Sequence, residues 1–179
     1  MNDFNALVNF KDYGHLSWLW SNSPLHREWS INLQARFLIP PIYLKYYTII
    51  FDHNNMPVAY CSWAMMNQNS ESKYLENPSY LEPTAWNSGN RLWIIDFVSP
   101  FSPKFTKILY NRLINLFPTQ HAYAIRVKEN STTARILSFT GAKMDRIERK
   151  KIKTFMFNDF KKNYLESGSF DGRYRSVKI

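Results

Sequence analysis

RLWIIDFVSPFSPKFTKILYNRLINLFP, residues 91–118, is the segment that decides the fold. Its first eight residues are apolar at almost every position, which is typical of a strand buried on both faces. The rest carries apolar side chains at helical spacing, with a Ser-Pro start and a proline stop at Pro118. The segment therefore predicts a central strand followed by an amphipathic helix.

Two helices and a β-hairpin are predicted before this segment. Apolar positions recur at near-helical spacing over residues 4–20. Ser23 is placed to cap a second helix with Pro24 in its first turn, and the prolines at 40 and 41 predict its end. The hairpin strands, YLKYYTIIFD and MPVAYCSWAMM, are joined by HNN, in which asparagine tolerates the positive φ of a tight turn.

The remaining elements are predicted from shorter patterns. Residues 67–90 are polar and broken by two prolines, so they predict a long loop with at most one helical turn. HAYAIRVK, residues 121–128, predicts a strand. NSTTARILSFTGA, residues 130–142, predicts a short helix with Gly141 at its C-terminal end. KKIKTFMFNDF, residues 150–160, predicts a last strand.

The order of these elements predicts one α/β (α+β) domain over residues 1–160, with a mostly antiparallel mixed sheet flanked by helices and one crossover. This is the element order of GNAT-type acyltransferases, and a shared architecture says nothing by itself about function. Residues 161–179 are predicted to form a basic C-terminal tail. A chain of 179 residues with 45% hydrophobic side chains is long enough for one sizeable core.

Composition narrows the class of protein. No apolar run is long enough for a transmembrane helix, and the N-terminus lacks the pattern of a signal peptide. A cytoplasmic protein without stable membrane insertion is therefore expected. The single cysteine, Cys61, excludes an internal disulfide and a cysteine-based metal site. No zinc, calcium or phosphate-binding motif is present, so neither a metal nor a bound cofactor is expected.

Positive charge is concentrated in the C-terminal part of the chain. The net charge is +9, and residues 143–179 contribute 11 Lys and Arg against 5 Asp and Glu, which is +6. Such a basic segment suggests an acidic partner, whether nucleic acid, a membrane surface or an acidic protein. The alternative is a solvated tail with no partner.

His26 is the histidine best placed for chemistry. In the predicted second helix it lies in the first turn, where the macrodipole disfavours an imidazolium and favours the neutral base. A neutral imidazole near pH 7 is what a general base for an amine requires. The alternative is a histidine that only caps or packs, and His15, His53 and His121 are interpreted in that way.

Asp96 is a single carboxylate inside the apolar central strand. Burial of a carboxylate is costly unless the group is paired or hydrogen-bonded. One interpretation is a structural ion pair with Arg126, in the centre of AYAIRVK. The other is a carboxylate that orients His26 and stabilises its protonated form. The two interpretations are not exclusive.

Two further side chains have both a structural and a chemical interpretation. Ser23, three residues before His26, either caps a helix or donates a hydrogen bond to the site. Cys61 would be a nucleophile only if its thiolate were stabilised, and no histidine or cation is adjacent in sequence. A lone cysteine in a strand is usually a small buried hydrophobic residue.

Five segments together resemble one known family: WLWSNSPLHREW, PVAYCSWA, LWIIDFVSPF, AIRV and FTGAKMD. Their combination and order are similar to the RTX-toxin-activating lysine acyltransferases, the haemolysin-activating type of Gram-negative bacteria. The resemblance implies a GNAT-like fold and transfer of a fatty acyl group from acyl carrier protein, not from coenzyme A. The acceptor it implies is the ε-amine of internal lysines in an inactive RTX protoxin, before its export from the cytoplasm.

The resemblance also implies roles for particular residues. His26 and Asp96 match the catalytic positions, and Ser23, Arg126 and Gly141 match supporting or substrate-binding positions. Acyl carrier protein is then a co-substrate, and no other cofactor is implied. Direct transfer and a covalent acyl-histidine both remain open.

The residues themselves favour a carrier protein as the donor. Ordinary GNAT enzymes bind the coenzyme A diphosphate with a glycine-rich loop after the central strand. Here that connection, SPFSPKFTK, contains no glycine. Acyl carrier protein is strongly acidic, and a basic C-terminal third would attract it.

Other function classes remain to be distinguished. A GNAT-fold N-acyltransferase could use acyl-coenzyme A on a small amine, and a non-catalytic basic module could bind an acidic partner. Nucleic-acid binding is disfavoured because no recognised motif is present and the basic residues do not alternate with aromatics on one strand face. The aromatic-rich N-terminal helices could pack against a second copy of the chain, so a homodimer is a further alternative.

Overall fold

A five-stranded sheet is the centre of the fold, and the computed structural model describes residues 9–127 and 134–162. The described helices are α1 (Phe10–Ser21), α2 (Ile31–Leu44), α3 (Gln68–Glu76), α4 (Pro103–Leu116) and α5 (Arg146–Phe160). The strands are β1 (Tyr47–Phe51), β2 (Pro57–Met66), β3 (Arg91–Val98), β4 (His121–Val127) and β5 (Ala134–Thr140). A short 3₁₀ helix at Pro83–Trp86 precedes β3.

The strands lie in the order β1-β2-β3-β4-β5, and each neighbouring pair is antiparallel except β3 and β4. α4 provides the crossover that this parallel pair requires. The pairing joins only residues 92–94 to residues 122–124, so β3 continues past the point where it pairs with β4. The predicted α/β (α+β) class, mixed sheet and crossover are confirmed, and the architecture is compatible with a GNAT-like single domain.

Hydrophobic cores cover both faces of the sheet. On one face, side chains of α1 and α2 pack around Trp20 and Tyr60. On the other face, α4 packs its Leu109 against Cys61 and Ile94. Successive residues of β2 alternate between the two cores, which is why this strand is buried along almost its whole length.

The second helix differs from the prediction at both ends. It begins at Ile31, because Ser30 and not Ser23 accepts the capping hydrogen bond, from the amide of Leu33. It also continues through Pro40 and Pro41, which are buried, and ends at Leu44. Burial of the two proline rings offsets the backbone hydrogen bonds that they cannot donate.

Three predictions after the hairpin are wrong. The loop predicted at residues 67–90 contains α3, which Asn67 caps through the amide of Ser70, and the 3₁₀ helix. Residues 134–140 form β5 and not a helix, because seven residue pairs join them to β4. Residues 146–160 form a helix and not a strand. A capping box between Asp145 and Glu148 begins that helix, and the local alternation of KKIKTFMF concealed it.

Three predicted segments lie partly or mostly outside the described residues. Residues 4–8 of the first predicted helix and residues 130–133 of the predicted short helix lie outside the described residues, as does most of the predicted basic tail at 161–179. The hairpin turn is confirmed, with Asn55 at a positive φ of 58°. Of the described helices, none has the length and apolar character needed to cross a bilayer.

Candidate active site

His26 lies in the turn that joins α1 to α2, and not in the first turn of a helix as predicted. The turn is closed by backbone hydrogen bonds from the His26 amide to Ser23 and from the Trp29 amide to His26, at 3.0 and 2.9 Å. Because no helix begins at this position, the macrodipole argument for a neutral imidazole does not apply. The environment of His26 is instead set by tertiary contacts.

Two indole rings pack against the imidazole of His26. The ring centroid of Trp20 lies 4.5 Å away in a tilted arrangement, and that of Trp29 lies 4.8 Å away, nearly edge-on. Only 7% of His26 is exposed. The two indoles also pack against each other, with centroids 5.1 Å apart. This aromatic cluster restricts the orientation of the imidazole, so its two nitrogens can address specific partners.

A β-bulge directs Asp96 toward His26. Trp63 of β2 pairs with Ile94 and Ser62 pairs with Asp96, which leaves Ile95 as an extra residue in β3. Strict alternation would place Asp96 on the same face as Ile94, in the core beneath α4. The extra residue reverses the alternation and moves the carboxylate to the opposite face.

The carboxylate of Asp96 then has two buried partners. Its Oδ1 lies 3.3 Å from Nε2 of His26, and its Oδ2 accepts a hydrogen bond of 2.6 Å from the hydroxyl of Tyr60. The indole N–H of Trp20 donates in turn to the Tyr60 oxygen. Asp96 is 5% exposed, so these polar contacts replace the water that the carboxylate lost on folding.

The hydroxyl of Ser23 is hydrogen-bonded to the other nitrogen of the imidazole. Its Oγ lies 2.8 Å from Nδ1 of His26, and Ser23 is itself buried. Of the two sequence-based interpretations, the hydrogen bond to the site is the correct one and the helix cap is wrong. A carboxylate can only accept, so the ring presents Nε2–H to Asp96 and leaves the lone pair of Nδ1 toward Ser23.

Burial and the charge of Asp96 keep the neighbouring acidic groups neutral. Desolvation first, and the Asp96 charge second, raise the pKa of the Tyr60 phenol well above its usual value. The same two causes raise the pKa of the Cys61 thiol. Cys61 also packs on the α4 side of the sheet, so the structural interpretation of this cysteine holds and it is no activated nucleophile.

Arg126 and Gly141 lie elsewhere in the fold. Arg126 is exposed on β4 and forms no ion pair with the buried Asp96, so the predicted structural pair is absent. Gly141 follows β5 and not a helix. A Cβ at this position would lie 2.1 Å from the carbonyl oxygen of Phe117 and 2.2 Å from that of Pro118, so the chain packs too closely there for any other residue.

Sequence patterns alone do not identify Trp20, Trp29 and Tyr60 as parts of the site. Trp20 and Trp29 lie within the two predicted N-terminal helices, and Tyr60 lies within a predicted apolar strand. A detectable signal existed for Tyr60, because a buried phenol requires a hydrogen-bond partner. Among the described residues, no three His, Cys, Asp or Glu side chains lie together as a metal site would require.

This arrangement is suited to proton transfer. A buried imidazole that has a carboxylate on one nitrogen and a hydroxyl on the other can accept a proton at Nδ1 and hold it as an imidazolium beside Asp96. The low exposure of all three side chains strengthens their electrostatic interaction. The geometry alone does not specify the substrate.

Comparison with known proteins supplies the chemical context. Residues 5–140, a span that contains His26 and Asp96, match the model of the RTX toxin acyltransferase family. The chain is 41% identical over 141 residues to the protein-lysine palmitoyltransferase CyaC of Bordetella bronchiseptica, covering 79% of this chain and 76% of that protein.

Two further relatives bear related names. The leukotoxin-activating lysine-acyltransferase LtxC of Aggregatibacter actinomycetemcomitans is 41% identical over 138 residues, covering 77% of this chain and 80% of that protein. The leukotoxin-activating lysine-acyltransferase LktC serotype T3 of Mannheimia haemolytica is 37% identical over 167 residues, covering 88% of this chain and 97% of that protein.

Proposed function

The chain belongs to the RTX toxin acyltransferase family and is an acyltransferase, and from that premise we propose that it acylates lysines of an RTX protoxin. The acyl group is a fatty acyl chain, the donor is acyl carrier protein, and the reaction takes place in the cytoplasm. No metal or further cofactor takes part. The observation that supports this reaction is the buried His26–Asp96 pair, whose second imidazole nitrogen faces a hydroxyl.

The chemistry requires a base because a lysine ε-amine is protonated near pH 7, its ordinary pKa being about 10.4. The ammonium first releases one proton to solvent, and the resulting neutral amine attacks the carbonyl carbon of the acyl thioester. His26 takes the second proton, which the nitrogen loses as the carbon–nitrogen bond forms. The tetrahedral intermediate then collapses, the carbon–sulfur bond breaks, and the imidazolium returns a proton to the departing thiolate. The products are a lysine amide and the free thiol of the carrier.

Ser23 determines how the proton reaches the imidazole. Its hydroxyl is hydrogen-bonded to Nδ1, the nitrogen with the free lone pair. The substrate amine therefore does not contact that nitrogen in this arrangement. The proton passes through the Ser23 hydroxyl, or the hydroxyl rotates away when the amine enters. In both cases Asp96 stabilises the imidazolium from the Nε2 side.

The start of α4 supports a carrier protein over coenzyme A as the donor. A diphosphate would bind to free backbone N–H groups at a helix N-terminus. Here Pro103 has no N–H, and the amides of Lys104, Phe105 and Thr106 all donate to Ser102. The exposed basic residues Arg146, Lys150 and Lys151 of α5 provide positive charge for an acidic carrier.

Co-expression with an RTX protoxin tests the proposed reaction. Peptide masses of the protoxin should show a fatty-acyl increment on internal lysines with the wild-type chain and no increment with His26→Ala. His53→Ala is the matched control, because His53 is exposed in the β1–β2 turn and should leave acylation intact. Unmodified lysines with the wild-type chain, or equal modification with His26→Ala, would contradict the proposal.

A further inference from the structure

We propose that Trp20 and Tyr60 are positioning residues for acyl transfer, acting on His26 through Asp96. Their contacts form a closed ring within the core beneath α1. Trp20 donates to Tyr60, and Tyr60 donates to Asp96. Asp96 faces Nε2 of His26, and the imidazole lies against the indole of Trp20. This role rests on the acyl transfer proposed above.

The direction of each hydrogen bond follows from the chemistry of the groups. An indole N–H is a donor only, so the Tyr60 oxygen must accept from Trp20. The single proton of the phenol is then directed to Oδ2 of Asp96, 2.6 Å away. Since burial and the charge of Asp96 raise the pKa of Tyr60, the phenol stays protonated and keeps donating at working pH.

The hydrogen bond from Tyr60 has an electrostatic effect on the pair. His26 and Asp96 together carry one negative charge when the imidazole is neutral, and none after it has taken a proton. A donor on the carboxylate stabilises the negative state more than the neutral state. The Tyr60 hydroxyl therefore favours the negative state of the pair, and it leaves Oδ1 available to orient the imidazole.

The other titratable and charged side chains near Asp96 do not supply the electrostatic effect of the Tyr60 hydrogen bond. Burial first, and the charge of Asp96 second, raise the pKa of Cys61 and of Tyr74, so both stay neutral beside it. Arg27 and Glu28 neighbour His26 in its turn, but both side chains are exposed and contact each other. Within the described part of the chain, the ion-pair partner recorded for Asp96 is His26.

The test compares Tyr60→Phe with Tyr47→Phe. Tyr47 also donates to a carboxylate, that of Asp12, but this second tyrosine–aspartate pair joins β1 to α1 away from His26. The rate of acyl transfer to a protoxin fragment is measured against pH for wild type and both variants. Imidazole titration by NMR is measured on the same proteins without substrate, and thermal unfolding reports the folded fraction.

Tyr60→Phe should lower kcat by about 10–100-fold, with the KM for the protoxin fragment changed by less than about twofold. The acid limb of its rate profile and the titration of His26 should both move to higher pH. Trp20→Phe should move them in the same direction by less, because the N–H that it removes acts on the carboxylate only through Tyr60. Its smaller ring also loosens the packing, which the thermal unfolding measurement reports. Tyr47→Phe should leave both unchanged.

An unshifted His26 titration in a folded Tyr60→Phe protein would overturn the proposal, as would equal shifts in the two tyrosine variants. Failure of the acyl transfer proposal is distinguishable from this. In that case the wild-type chain acylates no lysine, whereas the NMR titration still reports whether Tyr60 acts on the His26–Asp96 pair.

Discussion

Two buried carboxylates on the same sheet face are held in different ways. Glu71 of α3 is 0% exposed, and its Oε2 lies 2.7 Å from Nε of Arg91, while Oε1 accepts a 2.7 Å hydrogen bond from Trp93. Asp96 is held by a titratable imidazole and a neutral phenol. A permanent cation neutralises Glu71 at every working pH, whereas the charge around Asp96 changes when His26 takes a proton.

The comparison separates a structural carboxylate from one suited to catalysis. The ion pair of Glu71 links α3 to the start of β3, and Arg91 continues the link to Asp159 of α5. Removing one partner of such a pair leaves a buried charge, which affects stability. Removing Asp96 leaves the imidazole without its counter-charge, which affects a proton transfer step.

The largest effect on activity is expected for His26→Ala. Loss of the base should lower the rate of acyl transfer by about 10²–10⁴-fold, the usual range for a general base. Purified enzyme, acyl carrier protein loaded with a fatty acid, and a protoxin fragment provide the assay. His53→Ala, which changes an exposed histidine, should match wild type. A His26→Ala protein with more than about half of the wild-type rate would break the assignment of the base.

Asp96→Asn should lower the same rate by about 10²–10³-fold while the protein stays folded. The amide keeps the size of the carboxylate and can accept from Tyr60, but it cannot stabilise an imidazolium. Circular dichroism checks the fold, and the acyl transfer assay gives the rate. A loss of activity that only followed a loss of folded protein would place Asp96 with Glu71 as a structural carboxylate.

Glu71→Gln should show the opposite pattern. Arg91 would lose its buried partner but keep Asp159, so the free energy of unfolding should fall by about 1–3 kcal/mol. Denaturant titration measures this change. Because Glu71 does not contact His26, the rate per folded molecule should remain at the wild-type value. A reduced rate at full folding would show that the two carboxylates are coupled.

His121 extends the comparison to a half-buried group that has no acidic partner among the described residues. Desolvation first, and Lys153 second, lower its pKa to about 4, compared with about 6.5 in an unfolded chain. Below pH 6.5 the unfolded chain binds a proton that the folded protein does not, so stability falls with falling pH. The loss by pH 5 should be about 1–2 kcal/mol, and His121→Gln should remove it in urea titrations at pH 7 and pH 5. An equal pH dependence in both proteins would contradict this cause.

The parts of the fold that could be predicted are those with strong local patterns. β3 and α4 were found because a strand apolar on both faces and an amphipathic helix between proline signals have few alternatives. The segment of β5 follows a run of Ser and Thr typical of a helix cap, and only its pairing with β4 makes it a strand. The paired residues of β4 and β5 are 7 to 19 positions apart in sequence, so a pattern within residues 134–140 alone does not show the pairing.

The candidate site was predictable in its residues but not in its geometry. His26, Asp96 and Ser23 were identified from motif and charge, and the structure brings these three together. Their geometry depends on the β-bulge at Ile95 in β3. This bulge becomes apparent only when β3 is paired with β2. Tyr60 was missed although a buried phenol requires a hydrogen-bond partner, because no local pattern shows that this partner is Asp96.

The rate of acyl transfer per folded molecule, measured side by side for Asp96→Asn and Glu71→Gln, tests the central claim most directly. We expect Asp96→Asn to be at least about 100-fold slower than wild type, and Glu71→Gln to match wild type although it is less stable. Equal rates in the two variants would show that the buried pair of His26 and Asp96 does not perform the proton transfer.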